Sequence, residues 1–111
     1  MTNTDYVSAE TAKLLKEVGY REFKGKTLIG EYNMVHLWDA QKWLREEYGI
    51  HIEVHAGRDV SDVLQFRSEL FWVGEGDFWW SCYCDYFETY ELALDAGIAC
   101  ACDMIKMGKL K

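Results

Sequence analysis

Between Leu70 and Phe87 the chain reads LFWVGEGDFWWSCYCDYF, eight aromatic residues distributed about a Gly-Glu-Gly-Asp turn. This pattern specifies a β-hairpin, because two apolar runs joined by a short glycine-containing segment readily fold back on each other. Side chains on a strand alternate between its faces. Phe71, Trp72, Phe78, Trp79, Trp80, Tyr83, Tyr86 and Phe87 therefore cannot all enter one core. Core packing accounts for the inward half, since aromatics fit and bury well on strands. If Phe78, Trp80 and Cys82 face the helices, then Trp79, Ser81 and Tyr83 face outward, where they would form a binding hot spot or a dimer seam.

The rest of the chain supplies helices to cover one side of that hairpin. Val7 and Ser8 open a helix in which Ser8 caps free backbone amides and Glu10 complements the dipole; Leu14, Leu15 and Val18 form its apolar stripe, and Gly19 ends it. Tyr20 to Tyr32, with Gly25 and Gly30 around Thr27-Leu28-Ile29, reads as a loop with room for one short strand. Asn33 is read as the cap of a second helix ending at Tyr48 and Gly49, with Leu37, Ala40, Leu44 and Tyr48 on one face and Trp38 and Trp43 widening it. After Gly49 the period changes to two. Ile50, Ile52 and Val54 alternate with His51, Glu53 and His55, the mark of a half-buried strand.

Ala56 to Asp62 is dense in turn formers and reads as a mobile loop. Val63 to Val73 is a long strand with Leu64, Phe66, Ser68, Leu70 and Trp72 on one side, and Phe78 to Cys84 returns beside it. Thr89 caps the last helix, whose stripe is Leu92, Ala93, Ala96, Gly97, Cys100, Ala101, Met104 and Ile105, closed by Gly108. Its small residues allow close approach to a sheet lined with large aromatics. The expected class is α+β, a three-stranded antiparallel meander with three helices on one face, in the order α-α-β-β-β-α.

Length and charge narrow the functions. A chain of 111 residues is one domain able to bury roughly two-thirds of its unfolded surface, and the absence of proline in a half-hydrophobic sequence argues for order nearly end to end. A formal charge of −7 disfavours nonspecific binding to nucleic acid or to an anionic membrane surface; it fits a basic partner or nucleic-acid mimicry, although solubility explains it more simply. MTNTDYVSAE has neither a basic nor an apolar export region, and no apolar run approaches the ~20 residues of a membrane span. The expected location is cytoplasmic, with the four cysteines packed as reduced thiols.

Candidate chemistry fails on geometry. Cys82/Cys84 and Cys100/Cys102 suggest a four-sulfur metal site, but residues two apart on a helix diverge by about 200°, so Cys100 and Cys102 cannot face one ion. His51 and His55 stand about 13 Å apart on a strand, too far to chelate together, so the His51, Glu53, His55 row reads as a solvent-facing polar surface. HxE without a PCxxC does not make a zinc deaminase. There is no GxSxG, P-loop or GxGxxG, and nothing places Ser81 or Cys82 beside His36, His51 or His55. No cofactor or metal is expected.

Three segments, VSAETAKLLKEVGY at 7–20, AQKWLREEYGIHIEV at 40–54 and FETYELALDAGIACACDMIK at 87–106, together make a chain that resembles small uncharacterised proteins of prophages and mobile elements of gut bacteria. The resemblance covers about half the chain and implies a fold but no activity. It departs from the group at Glu31–His36, which lacks the cysteine or proline found there. The functional reading is a non-enzymatic protein that binds another macromolecule, an unknown protein partner or a second copy of itself, as a mobile-element accessory or counter-defence factor. The alternative is a small-ligand sensor using the aromatic hairpin face. The candidate surface comprises Trp79, Tyr83, His51, Glu53 and His55.

Overall fold

The computed structural model describes residues 5–21, 24–27, 30–58, 60–73 and 79–108. Helices α1 (Ala9–Glu17), α2 (Leu37–Tyr48) and α3 (Tyr90–Lys106) accompany strands β1 (Lys24–Thr27), β2 (Gly30–Met34), β3 (His51–Arg58), β4 (Leu64–Val73) and β5 (Trp79–Tyr83). The main sheet is antiparallel in the order β3-β4-β5. Helices and main sheet follow the expected α-α-β-β-β-α order of an α+β fold. No helix among the described residues is long and apolar enough to cross a membrane.

The caps act as the sequence implies. Ser8 Oγ accepts from Thr11 N, and Thr89 Oγ1 from Leu92 N. Gly49 ends α2 in the left-handed region at φ 67°, which frees the chain to turn straight into β3. Asp95 on α3 then links the helices: its carboxylate accepts from Ser8 N at 2.8 Å and from the buried Thr11 hydroxyl at 3.1 Å. At the far end Lys106 pairs with Glu17. These two ties, one near each end of α1, make α1 and α3 run parallel.

α3 is the centre of the molecule. One side meets the sheet so closely at Gly97 that an added Cβ would lie 2.6 Å from Ser68 Oγ and 3.0 Å from Ile52 Cγ2. Leu15, Leu44, Ile50, Leu70, Ile98 and Ala101 are fully buried in the single cluster that α3 shares with the other elements; each of the larger aliphatics contributes about 1.5–3 kcal/mol by burial.

Several expectations need correction. Asn33 lies in β2 and does not cap α2, which begins at Leu37 after an extended His36 that makes no side-chain cap. The preceding stretch forms a two-stranded ribbon, β1 with β2, carrying an irregularity between Lys24 and Lys26; Leu28 and Ile29 lie outside the described residues. Ala56 to Arg58 belong to β3 and pair with Phe66 to Leu64, so pairing overrides their turn-forming composition. Trp38 is 53% exposed, on the solvent side of α2. Leu92 is exposed while Leu94, Ile98 and Cys102 are buried, because α3 packs against helices as well as the sheet. Phe78 and the Gly74–Asp77 turn lie outside the described residues.

The edge of the sheet at β3 is partly capped. Gln41 Nε2 of α2 donates to Ile52 O at 2.7 Å, occupying a carbonyl that points away from β4.

Candidate functional site

Ile52, Ser68 and Leu70 turn their side chains to the helices and are buried. By strand alternation the opposite face carries His51, Glu53 and His55 from β3, Arg67, Glu69 and Phe71 from β4, and Ser81 and Tyr83 from β5. Register sets three rows across it: His51, Phe71 and Ser81; Glu53, Glu69 and Tyr83; His55 beside Arg67.

The middle row places two carboxylates directly opposite each other, a repulsive cross-strand pair. His55 compensates. Its Nε2 stands 3.0 Å from Glu69 Oε1 and 3.7 Å from Glu53 Oε2. Glu69, whose side chain is only 9% exposed, is covered by its neighbours although no helix lies on this face among the described residues. Its negative charge, across the row, pushes the Tyr83 hydroxyl above its usual pKa.

Arg67 extends the network sideways. Its guanidinium lies 4.2 Å from the centre of the Tyr83 ring and 4.8 Å from that of Tyr86, and its Nε donates to Cys84 O at 3.2 Å. Tyr83 and Tyr86 remain 55% and 46% exposed. Tyr86 reaches across to Gly57 of β3, where an added Cβ would touch its ring edge at 3.4 Å. The outcome is a shelf with an acidic floor at Glu69, a cation held between two phenols, and an imidazole at its rim.

Of the expected surface, Tyr83, Glu53 and His55 come together and His51 lies one row away. Trp79 holds a place in β5 opposite Val73, and its side chain lies outside what the structure describes. Arg67, Glu69 and Tyr86 belong to the site but were not singled out. The first two follow from the alternation that turns Ser68 and Leu70 inward; Tyr86 sits beyond the strand, where no period governs it.

Glu53, His55 and Glu69 offer ligand atoms within 4.8 Å of one another. One imidazole and two carboxylates suit a divalent ion, but here Glu69 Oε1 and His55 Nε2 are bonded to each other at 3.0 Å. His51 lies outside this trio. Nucleophilic chemistry is disfavoured by spacing: Ser81 shares its row with His51 but stands two strands away, about 10 Å, with Phe71 between them, and it lies four residues along β4, about 13 Å, from the row of His55. Cys82 pairs with inward-facing Leu70 on the other side of the sheet. The cavity that has Tyr83 in its wall is completed by Cys84, Asp85 and Phe87 with Ala96, Ala99, Cys100 and Asp103 of α3, and not by the 51/53/55 row. Comparison with known protein families, with characterised proteins and with solved structures finds no match to this chain.

Proposed function

We propose that this chain is a non-enzymatic binding protein whose open sheet face receives another protein. The observation that carries this reading is the Arg67 guanidinium held between two half-exposed phenols, Tyr83 and Tyr86, on a face without a covering helix among the described residues. Tyrosine and arginine supply large contact area and directional hydrogen bonds, and they dominate binding hot spots. Here Arg67 is held in advance by the Cys84 carbonyl and by both rings, which lowers the entropy lost on binding. The separation of His55 from Ser81 and Cys82 favours recognition over catalysis. The net charge of −7 favours a partner presenting lysine or arginine beside the Glu53 and Glu69 carboxylates. The resemblance to mobile-element proteins extends the proposal to a host protein as partner, engaged by an accessory or counter-defence factor acting in the cytoplasm.

A photo-crosslinking amino acid placed at Tyr83 or Tyr86 tests this in living host cells, with exposed Leu92 on α3 as the control position. The expected result is one discrete crosslinked protein from the two tyrosine positions, absent from position 92 and reduced at least about tenfold by Arg67→Ala. Crosslinks of equal pattern from position 92, or none from the shelf, reject the reading. A crosslink to an identical chain assigns the face to a homodimer.

A further inference from the structure

Cys82 lies in β5 and Cys84 just beyond its end, where Cys84 N still donates to Ser68 O at 2.9 Å, and both thiols lie on the side of α3. Cys100 of α3 lines the same cavity as Cys84, and the two thiols act on each other electrostatically, with Cys82 also in reach. Cys102 points elsewhere and is fully buried, the divergence expected of helix positions two apart. A cavity of about 410 Å³ opens onto Cys84 and Cys100. Beside Cys84 lies the hydroxyl of Ser68, fully buried and without a hydrogen-bond partner in this state. A buried unpaired hydroxyl is costly, and a sulfur anion at Cys84 would satisfy it. Arg67, bonded to the Cys84 carbonyl, adds positive charge nearby.

We infer that Cys84 and Cys100 are a redox-active dithiol, oxidised to a disulfide by a neutral or cationic low-molecular-weight disulfide that enters this cavity. Its charge preference follows from the wall, where Asp85 and Asp103 repel an anionic reagent. In the first step the Cys84 thiolate attacks the reagent's S–S bond; a Cys84–reagent disulfide forms, and one reagent thiolate leaves with the Cys100 proton. In the second, the Cys100 thiolate attacks Cys84 Sγ, and the second reagent thiolate leaves and takes a proton from water. The protein loses two electrons and the reagent gains them as two thiols.

The roles follow from the surroundings. Cys84 is held down to about 6, chiefly by the neighbouring Cys100 thiol and then by Ser68 and Arg67, against burial and Asp85. Cys100 is pushed up, first by the neighbouring Cys84 and then by burial, so it is the proton donor and the second attacker. Cys82 is raised by burial and stays protonated.

The test treats the folded full-length protein with cystamine at neutral pH, followed by acid quench and mass spectrometry. Proteolysis after Glu88 and Glu91 separates Cys82 and Cys84 from Cys100 and Cys102. Wild type is expected to lose two hydrogens and link the two fragments, with cystamine acting faster than the anionic oxidised glutathione. Cys100→Ser should stop at one cysteamine adduct on Cys84. Cys84→Ser should slow all modification at least about tenfold, whereas Cys102→Ser should leave the rate unchanged, and circular dichroism checks that each variant is folded. The assignment is overturned if the linkage uses Cys102, if Cys84→Ser reacts as fast as wild type, if oxidised glutathione outpaces cystamine, or if the linkage forms only in urea.

Discussion

At Gly97 a single missing methyl group decides how closely a helix and a sheet can approach. Gly97→Ala would gain up to ~1 kcal/mol of helix propensity but set a Cβ 2.6 Å from Ser68 Oγ and 2.9 Å from Ser68 Cβ. Overpacking of this kind costs about 1–3 kcal/mol, so the variant should be less stable in urea. Ser68→Ala in the same chain should restore part of the loss by removing the closer of the two contacts, that with Oγ, together with an unpartnered hydroxyl. Cys102 carries a second prediction. Burial pushes its thiol up to about 12, so above the ordinary thiol range the unfolded chain releases a proton that the folded chain keeps. Stability should then fall as pH rises from about 9 toward 12, by up to about 1.4 kcal/mol per pH unit from this group. Cys102→Ala should flatten the alkaline limb of a stability-against-pH curve; an unchanged slope would reject the account.

Among elements, the junction of α1 with α3 concentrates in one carboxylate. Asp95→Ala leaves the buried Thr11 hydroxyl and the Ser8 amide without their acceptor, and a cost of about 1–3 kcal/mol is expected in chemical denaturation. Asp95→Asn should cost less, because its carbonyl oxygen still accepts one of the two bonds. This junction was not legible in the sequence, since it joins residues more than eighty positions apart. What was legible was local: Ser8 and Thr89 as caps, Gly49 as a stop, the change of period at Ile50, and the long alternating β4. The β1–β2 ribbon escaped because KGKT and GEYNM are polar and glycine-bearing, without the alternation that marks a half-buried strand. Leu94, Ile98 and Cys102 lie outside the one apolar stripe that the sequence suggests, because α3 is covered on more than one side. The outward row of His51, Glu53 and His55 was read correctly, but the burial of Glu69 on that face comes from cross-strand neighbours that a single strand does not reveal. The placing of Cys84 and Cys100 on one cavity likewise depends on how α3 packs beside the chain that follows β5.

Over the whole molecule, the charge of −7 acts as a diffuse repulsion that no single pair carries. Raising ionic strength from about 0.01 M to about 0.15 M shortens the screening length from ~30 to ~8 Å, and the melting temperature should rise by about 2–5 °C. A fall would mean that attractive pairs such as Lys106 with Glu17 outweigh the repulsion. The bond from Gln41 to the Ile52 carbonyl has a consequence at this scale too. A sheet is a template whose last strand invites the next one, and here a side-chain amide acts as chain terminator at that growing end. Gln41→Leu should leave the monomer's interior intact yet let β3 recruit β3 of another copy, read as concentration-dependent thioflavin binding and light scattering that wild type does not show.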